Sequence, residues 1–290
     1  MPNCQIIDTF PAFQMFWART RRKSLNDRVE GWLSEYMSQW PELLGVQLGD
    51  YASMEMDWRQ VALERIFPVL DERLPDMQTA HGHLLEICGS INKKAQDLLA
   101  FQSEVYFVIY VGIGCGAGWV TTYQDTPAVL FGLENIAEEG WTQYSTLNGL
   151  AAHELGHLAH FYWLDKGGIP RGKGPWWDLY TEGFAQRCEH LILGEETWHM
   201  ADARDAGNWL DWCRENKTWL AEEYLRSVDA GEAVNRFFGS WYEVQGYKQT
   251  GYFLGHELIR SLEGQFSFEE IALLPDWEIR MREVLEKLVS

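Results

Sequence analysis

A chain of 290 residues with 46% hydrophobic and 23% charged side chains has ordinary globular composition and length enough for a large core. Its 43 acidic against 24 basic residues give a formal charge of −19, which repels phosphate backbones and anionic lipid, so nucleic acid and membrane surfaces are poor partners. The charge suits solubility and by itself names no substrate.

Cys4, Cys88, Cys115, Cys188 and Cys213 are odd in number and contain no Cys-x-x-Cys pair. That spacing fits a reducing compartment rather than a disulfide scaffold. In "MPNCQIIDTFPAFQMFWARTRRK" the basic cluster follows the apolar residues, the reverse of a signal peptide. The apolar run "VYFVIYVGIG" is about half the roughly 20 residues that a spanning helix needs. The expectation is a soluble, cytoplasmic protein.

Residues 25–100 read as mainly helical. "SLNDRVEGWLSEYMSQW" places Leu25, Val29, Trp32, Leu33 and Tyr36 at helical spacing behind a Ser24 cap. "DWRQVALERIFPVLDERL" continues the pattern, with Pro68 as a break or kink, and "GHLLEICGSINKKAQDLLAF" gives a further helix. The texture changes at residue 104. "EVYFVIYVGIG" is rich in β-branched and aromatic residues and reads as a buried strand, and "CGAGWVTTYQDTPAVLFGLENIA" adds strands joined by turns. After "GWTQYSTLNG" the helical period returns, interrupted by a Gly/Pro-rich loop over 165–178. The order is helices, small sheet, helices, which predicts an α+β fold with a helical region over 1–103 and a core over 104–290, together one compact unit.

"GIGCGA" at 112–117 fits a loose nucleotide-binding pattern, but that pattern requires a helix to start there. "GWVTTYQDTP" follows instead, so the glycines are read as a bend or bulge in the sheet.

The chemistry concentrates at "HELGH", residues 153–157. Residues four apart on a helix lie one above the other, so His153 and His157 present two imidazoles to one point. Glu154 lies beside that face, suited to act on water rather than to bind a metal. A catalytic zinc site takes three protein ligands, so a third is needed. His160 is one turn beyond His157 on a continuous helix and fits packing better than ligation of the same ion. Glu182, in "WWDLYTEGFAQRCEH" behind the Gly/Pro loop, can be offered by a second helix packed on the first.

"HELGH" followed at a distance by "EGFA" (182–185) resembles the gluzincin metallopeptidases, including the aminopeptidase N-like enzymes. The resemblance covers roughly 104–262 and looks closest to compact bacterial zinc-dependent proteases with a minimal zincin-like core. It implies one Zn²⁺ ion held by His153, His157 and Glu182, a peptide substrate, and Glu154 as general base. It also implies a tyrosine that stabilises the oxyanion. "YFLGHELIRSLE" supplies Tyr252 in the matching pattern, with Tyr247 and His256 as rival donors. "FGLENIAE" (131–138) is similar to the amine-binding stretch of aminopeptidase N-like enzymes. That likeness implies Glu134 as the amine-binding residue and the segment as an edge strand that pairs with extended substrate. A zinc-binding protein without peptidase activity, or a helical interaction protein, are the alternatives.

Overall fold

The computed structural model describes residues 4–204 and 206–289. Met1–Asn3 of the segment read for a leader lie outside these residues. The fold is α+β: helix predominates around a small mixed four-stranded sheet. The strands are β1 (Cys4–Asp8), β2 (Val105–Tyr110), β3 (Gly118–Tyr123) and β4 (Thr126–Gly132). The helices before β2 are α1 (Phe10–Thr20), α2 (Leu25–Gly31), α3 (Pro41–Ser53), α4 (Trp58–Val61) and α5 (Leu70–Leu99). Those after β4 are α6 (Leu133–Glu139), α7 (Tyr144–Gly167), α8 (Pro175–Leu193), α9 (Trp209–Glu215), α10 (Lys217–Asp229), α11 (Thr250–Leu262), α12 (Phe268–Ala272) and α13 (Trp277–Val289). Among the described residues no helix is long and apolar enough to cross a membrane. The chain divides into two compact units, one of residues 1–92 and 103–151, the other of residues 93–102 and 152–290.

The first unit holds the sheet, in the order β1-β2-β4-β3. β1, β2 and β4 run parallel, with Ile6 opposite Phe107 and Phe107 opposite Val129, while β3 runs antiparallel to β4. Val105, Phe107, Val108, Ile109 and Tyr110 of β2 are fully buried, as expected of a parallel strand covered on both faces. The β3–β4 hairpin turns on Gln124 and Asp125, both at positive φ (50° and 59°), the conformation of a tight two-residue turn that matches strand twist. β1 is the strand the residue pattern does not announce: five residues, paired with a segment a hundred positions away.

Two expectations change here. "FGLENIAE" is not an edge strand: β4 ends at Gly132 and lies between β2 and β3, and the edges are β1 and β3. Glu134 sits instead in the first turn of α6. The reason is burial on every side: Val129, Leu130, Phe131 and Leu133 are fully buried, so the run is interior.

The helical readings of this unit hold. Ser24 caps α2, its hydroxyl accepting from the Asp27 N–H at 3.2 Å. Val29, Trp32 and Tyr36 are buried on the predicted face. Pro68 falls in the break between the wide turn Ala62–Ile66 and the start of α5. Trp32 Nε1 donates to the Val111 carbonyl at 3.0 Å, and the Val111 N–H donates to Tyr36 Oη at 3.2 Å, so this helical run is pinned to the end of β2.

The second unit is built around α8. The loop before it is shorter than the sequence suggests, because α7 runs to Gly167 and Pro175 opens α8. Proline is pre-organised for the first helical turn, where its missing N–H is not needed. Glu182 therefore lies two turns inside α8 rather than at its head. The crossings of α8 are set by small residues. A Cβ on Gly156 of α7 would come within 2.6 Å of Cys188 Cβ and 3.0 Å of Ala185 Cα. A Cβ on Gly183 would come within 2.3 Å of the Gly255 carbonyl, and Gly255 meets the Leu179 carbonyl at 2.5 Å in the same way. On another side of α8, Trp277 of α13 stacks on Tyr180 with centroids 5.7 Å apart.

Candidate metal centre

α7 and α8 bring three side chains together. His153 Nε2 lies 3.1 Å from Glu182 Oε2, and His157 Nε2 lies 3.3 Å from the same oxygen. The two imidazole centroids are 4.9 Å apart at 78°, as two residues one turn apart on a helix permit. His153 and His157 are buried and Glu182 is partly buried. Two ligand atoms of one tetrahedral zinc ion, each about 2.0–2.1 Å from it, are about 3.3 Å apart. The observed separations match that spacing, and two imidazoles with one carboxylate are a donor set that zinc accepts, so the residues fit the ion.

The three groups differ in protonation. Burial pushes the His153 imidazolium pKa down to about 4, so the ring is neutral, the form that donates a lone pair. Burial alone would push the Glu182 carboxyl up, but the charge of His157 and the hydrogen bonds from both rings hold it well below the carboxylate range. For His157 the same carboxylate outweighs burial and raises the pKa.

Glu154 is buried, and burial pushes its carboxyl up to about 7, opposed by His157. It is thus poised between proton acceptor and donor near neutral pH. Tyr252 of α11 puts its ring 5.4 Å from that of His153. Tyr247 Oη donates to Asn208 Oδ1 at 2.8 Å and its ring stacks on Trp212, while His256 takes a contact from Arg187 and packs on Trp198. His160 is fully buried against Trp177, Tyr180 and Phe184, with its pKa pushed down to about 3 by burial, and among the described residues it joins no group that could hold a metal ion.

No family model, curated protein or solved structure matches this chain.

Glu134, in the first unit, is fully buried. Its carboxylate accepts from the Gly112 N–H at 2.7 Å and the Gly114 N–H at 3.1 Å, and Asn135 Oδ1 accepts from the Gly116 N–H at 3.2 Å. The glycine-rich stretch is thus an anion cradle filled by the protein's own carboxylate. A Cβ on Gly112 would come within 2.7 Å of Glu134 Oε1, so only glycine lets the backbone approach so closely.

Three further residues flank the histidines. Thr181 Oγ1 lies 3.3 Å from His157 Nδ1. Glu189 Oε2 lies 4.0 Å from His153 Nδ1 and accepts from His199 Nδ1 at 2.7 Å. Burial would raise the Glu189 pKa, but His199 outweighs it and lowers it. Glu189 was findable: it is two turns after Glu182 and so on the same face of α8. His199 follows at the start of a short 3-10 helix, His199–Asp202, with no periodic signal.

Proposed function

We propose that this chain is a zinc-dependent peptidase of the gluzincin type, with a zincin-like core. The observation that carries the reading is the approach of His153 Nε2 and His157 Nε2 to one Glu182 oxygen, at 3.1 and 3.3 Å. His153, His157 and Glu182 would hold the ion, which when bound supplies Lewis acidity toward a carbonyl oxygen and toward water. Glu154 takes the proton of the attacking water and returns it to the leaving amine, a double role that its near-neutral carboxyl suits. The Tyr252 hydroxyl donates to the oxyanion that forms as the carbonyl is attacked. That bond exists only near the transition state, so it raises turnover rather than substrate affinity.

The test is zinc content together with peptide hydrolysis. Wild-type protein should carry close to one equivalent of zinc and cleave peptides. Glu154→Gln should keep the zinc and lose on the order of 10²–10⁴-fold or more in turnover. Wild-type turnover in that variant would remove Glu154 from the mechanism, and protein that takes up no zinc would remove the metal. Comparing an aminoacyl anilide with an end-blocked peptide then separates attack next to a free amino terminus from internal cleavage.

A further inference from the structure

The ring of His153 is 2% exposed, and its Nδ1 has no hydrogen-bond partner. In the metal-bound state Nε2 carries its lone pair toward the metal, so the ring proton must sit on Nδ1. A buried N–H left unmade costs about 1–3 kcal/mol. The counterpart nitrogen on His157 already faces Thr181 Oγ1 at 3.3 Å. On His153 the facing acceptor is Glu189 Oε2, at 4.0 Å. That carboxylate is fully buried, and His199 anchors it: its Nδ1 donates to the same Oε2 at 2.7 Å and its backbone N–H to Oε1 at 3.3 Å.

We propose that Glu189, held by His199, is a positioning residue for His153: it accepts the Nδ1 proton, fixes the tautomer that leaves Nε2 free for the metal, and orients the ring. A shift of about 1 Å brings the pair to hydrogen-bond length. The three residues also form a grouping able to hold an ion of their own. The 2.7 Å separation of His199 Nδ1 and Glu189 Oε2 argues against that, because it is a hydrogen-bond length, shorter than the roughly 3.3 Å between two ligands of one zinc. A carboxylate behind a ligand imidazole raises the basicity of the nitrogen that faces the metal, and its loss commonly costs 10–100-fold in metal affinity.

The inference rests on His153 being a zinc ligand, and the experiment separates the two claims. Zinc affinity is measured by competition with a chelator for wild type, Glu189→Gln, His199→Phe and Glu263→Gln. The last breaks the Arg187–Glu263 ion pair and serves as a folding control. Glu189→Gln should weaken zinc binding by about 10–100-fold, His199→Phe by less, and Glu263→Gln by under about twofold. Nitrogen NMR of the zinc-loaded wild type should place the His153 proton on Nδ1, a readout that needs no variant to fold. Equal zinc affinity in folded Glu189→Gln, a proton absent from Nδ1, or uptake of a second zinc equivalent lost in both Glu189→Gln and His199→Phe would overturn the positioning role. Failure of wild type to bind one zinc would instead overturn the metal-site reading itself.

Discussion

At the scale of single residues, Glu134 and Glu182 show how one side-chain type takes opposite protonation behaviour. Both have carboxylates held by N–H groups. Glu182 faces two imidazoles and stays ionised. Glu134 accepts from the backbone amides of Gly112 and Gly114, and burial, which outweighs these bonds and the charge of Arg73, pushes its carboxyl up to about 7. A carboxyl whose folded pKa is above its unfolded value of about 4.5 favours folding when protonated. Its contribution to stability is therefore complete below about pH 4.5 and is lost as the pH rises through about 7. Glu134→Gln cannot ionise, but it turns an amide donor toward a backbone N–H and should lose about 1–3 kcal/mol at low pH. The gap between the two proteins should then narrow from about pH 4.5 to about pH 7, read as urea midpoints. A gap that stays constant across that window would show that Glu134 does not titrate there. Of the candidate residues, His153, His157 and Glu154 are legible as a group because their spacing is local. Glu134 is legible as a residue but not in its surroundings, since the amides that hold it come from a loop some twenty positions earlier.

At the scale of elements, the short motifs proposed to supply ligands are also packing motifs. The glycine inside "HELGH" lets α7 meet Ala185 and Cys188 of α8, and the glycine of "EGFA" meets that of "YFLG" where α8 crosses α11. The residues that bring the helices close are interleaved with those proposed to hold the ion, which is why the pattern can be read as one unit from sequence. Gly183→Ala would put a methyl carbon 2.3 Å from the Gly255 carbonyl, and backbone on backbone cannot rotate away. Overpacking of this kind costs about 1–3 kcal/mol or more. The expected outcome is a lower melting temperature together with weaker zinc binding, because α8 carries Glu182. Gly194→Ala, at a left-handed cap beyond the same helix, should lower stability and leave zinc affinity unchanged, so the pair of variants separates crossing from helix stability. Helix identities were readable here because their periods are long. Their ends were less so, as Pro175 shows: a residue that looks like loop chemistry in "GKGPWWD" is the first residue of α8. β1 was not readable at all, since its partner is remote and its five residues carry no alternation.

At the scale of the whole molecule, the charge of −19 bears on the proposed metal site more than on the fold. A surplus of carboxylates repels itself in the folded state, and its field raises the local concentration of cations. If a divalent ion is held by His153, His157 and Glu182 as proposed, it would lower that repulsion where Glu182, Glu154 and Glu189 are concentrated and would tie α7 to α8. An ion that binds the folded chain and not the unfolded one stabilises it by an amount set by its concentration over its dissociation constant, about 4 kcal/mol at a thousandfold excess. At roughly 2–4 °C per kcal/mol for chains of this general size, removing zinc should lower the melting temperature by on the order of 10 °C. The measurement is thermal unfolding of chelator-treated protein before and after zinc is restored, at fixed ionic strength so that screening of the acidic surface does not change. Magnesium at the same concentration is the control for charge alone, since it shares the field but prefers oxygen ligands to imidazole. A shift produced equally by both ions would assign the effect to screening of the acidic surface. A shift produced by zinc and lost in Glu182→Gln would assign it to the site between α7 and α8.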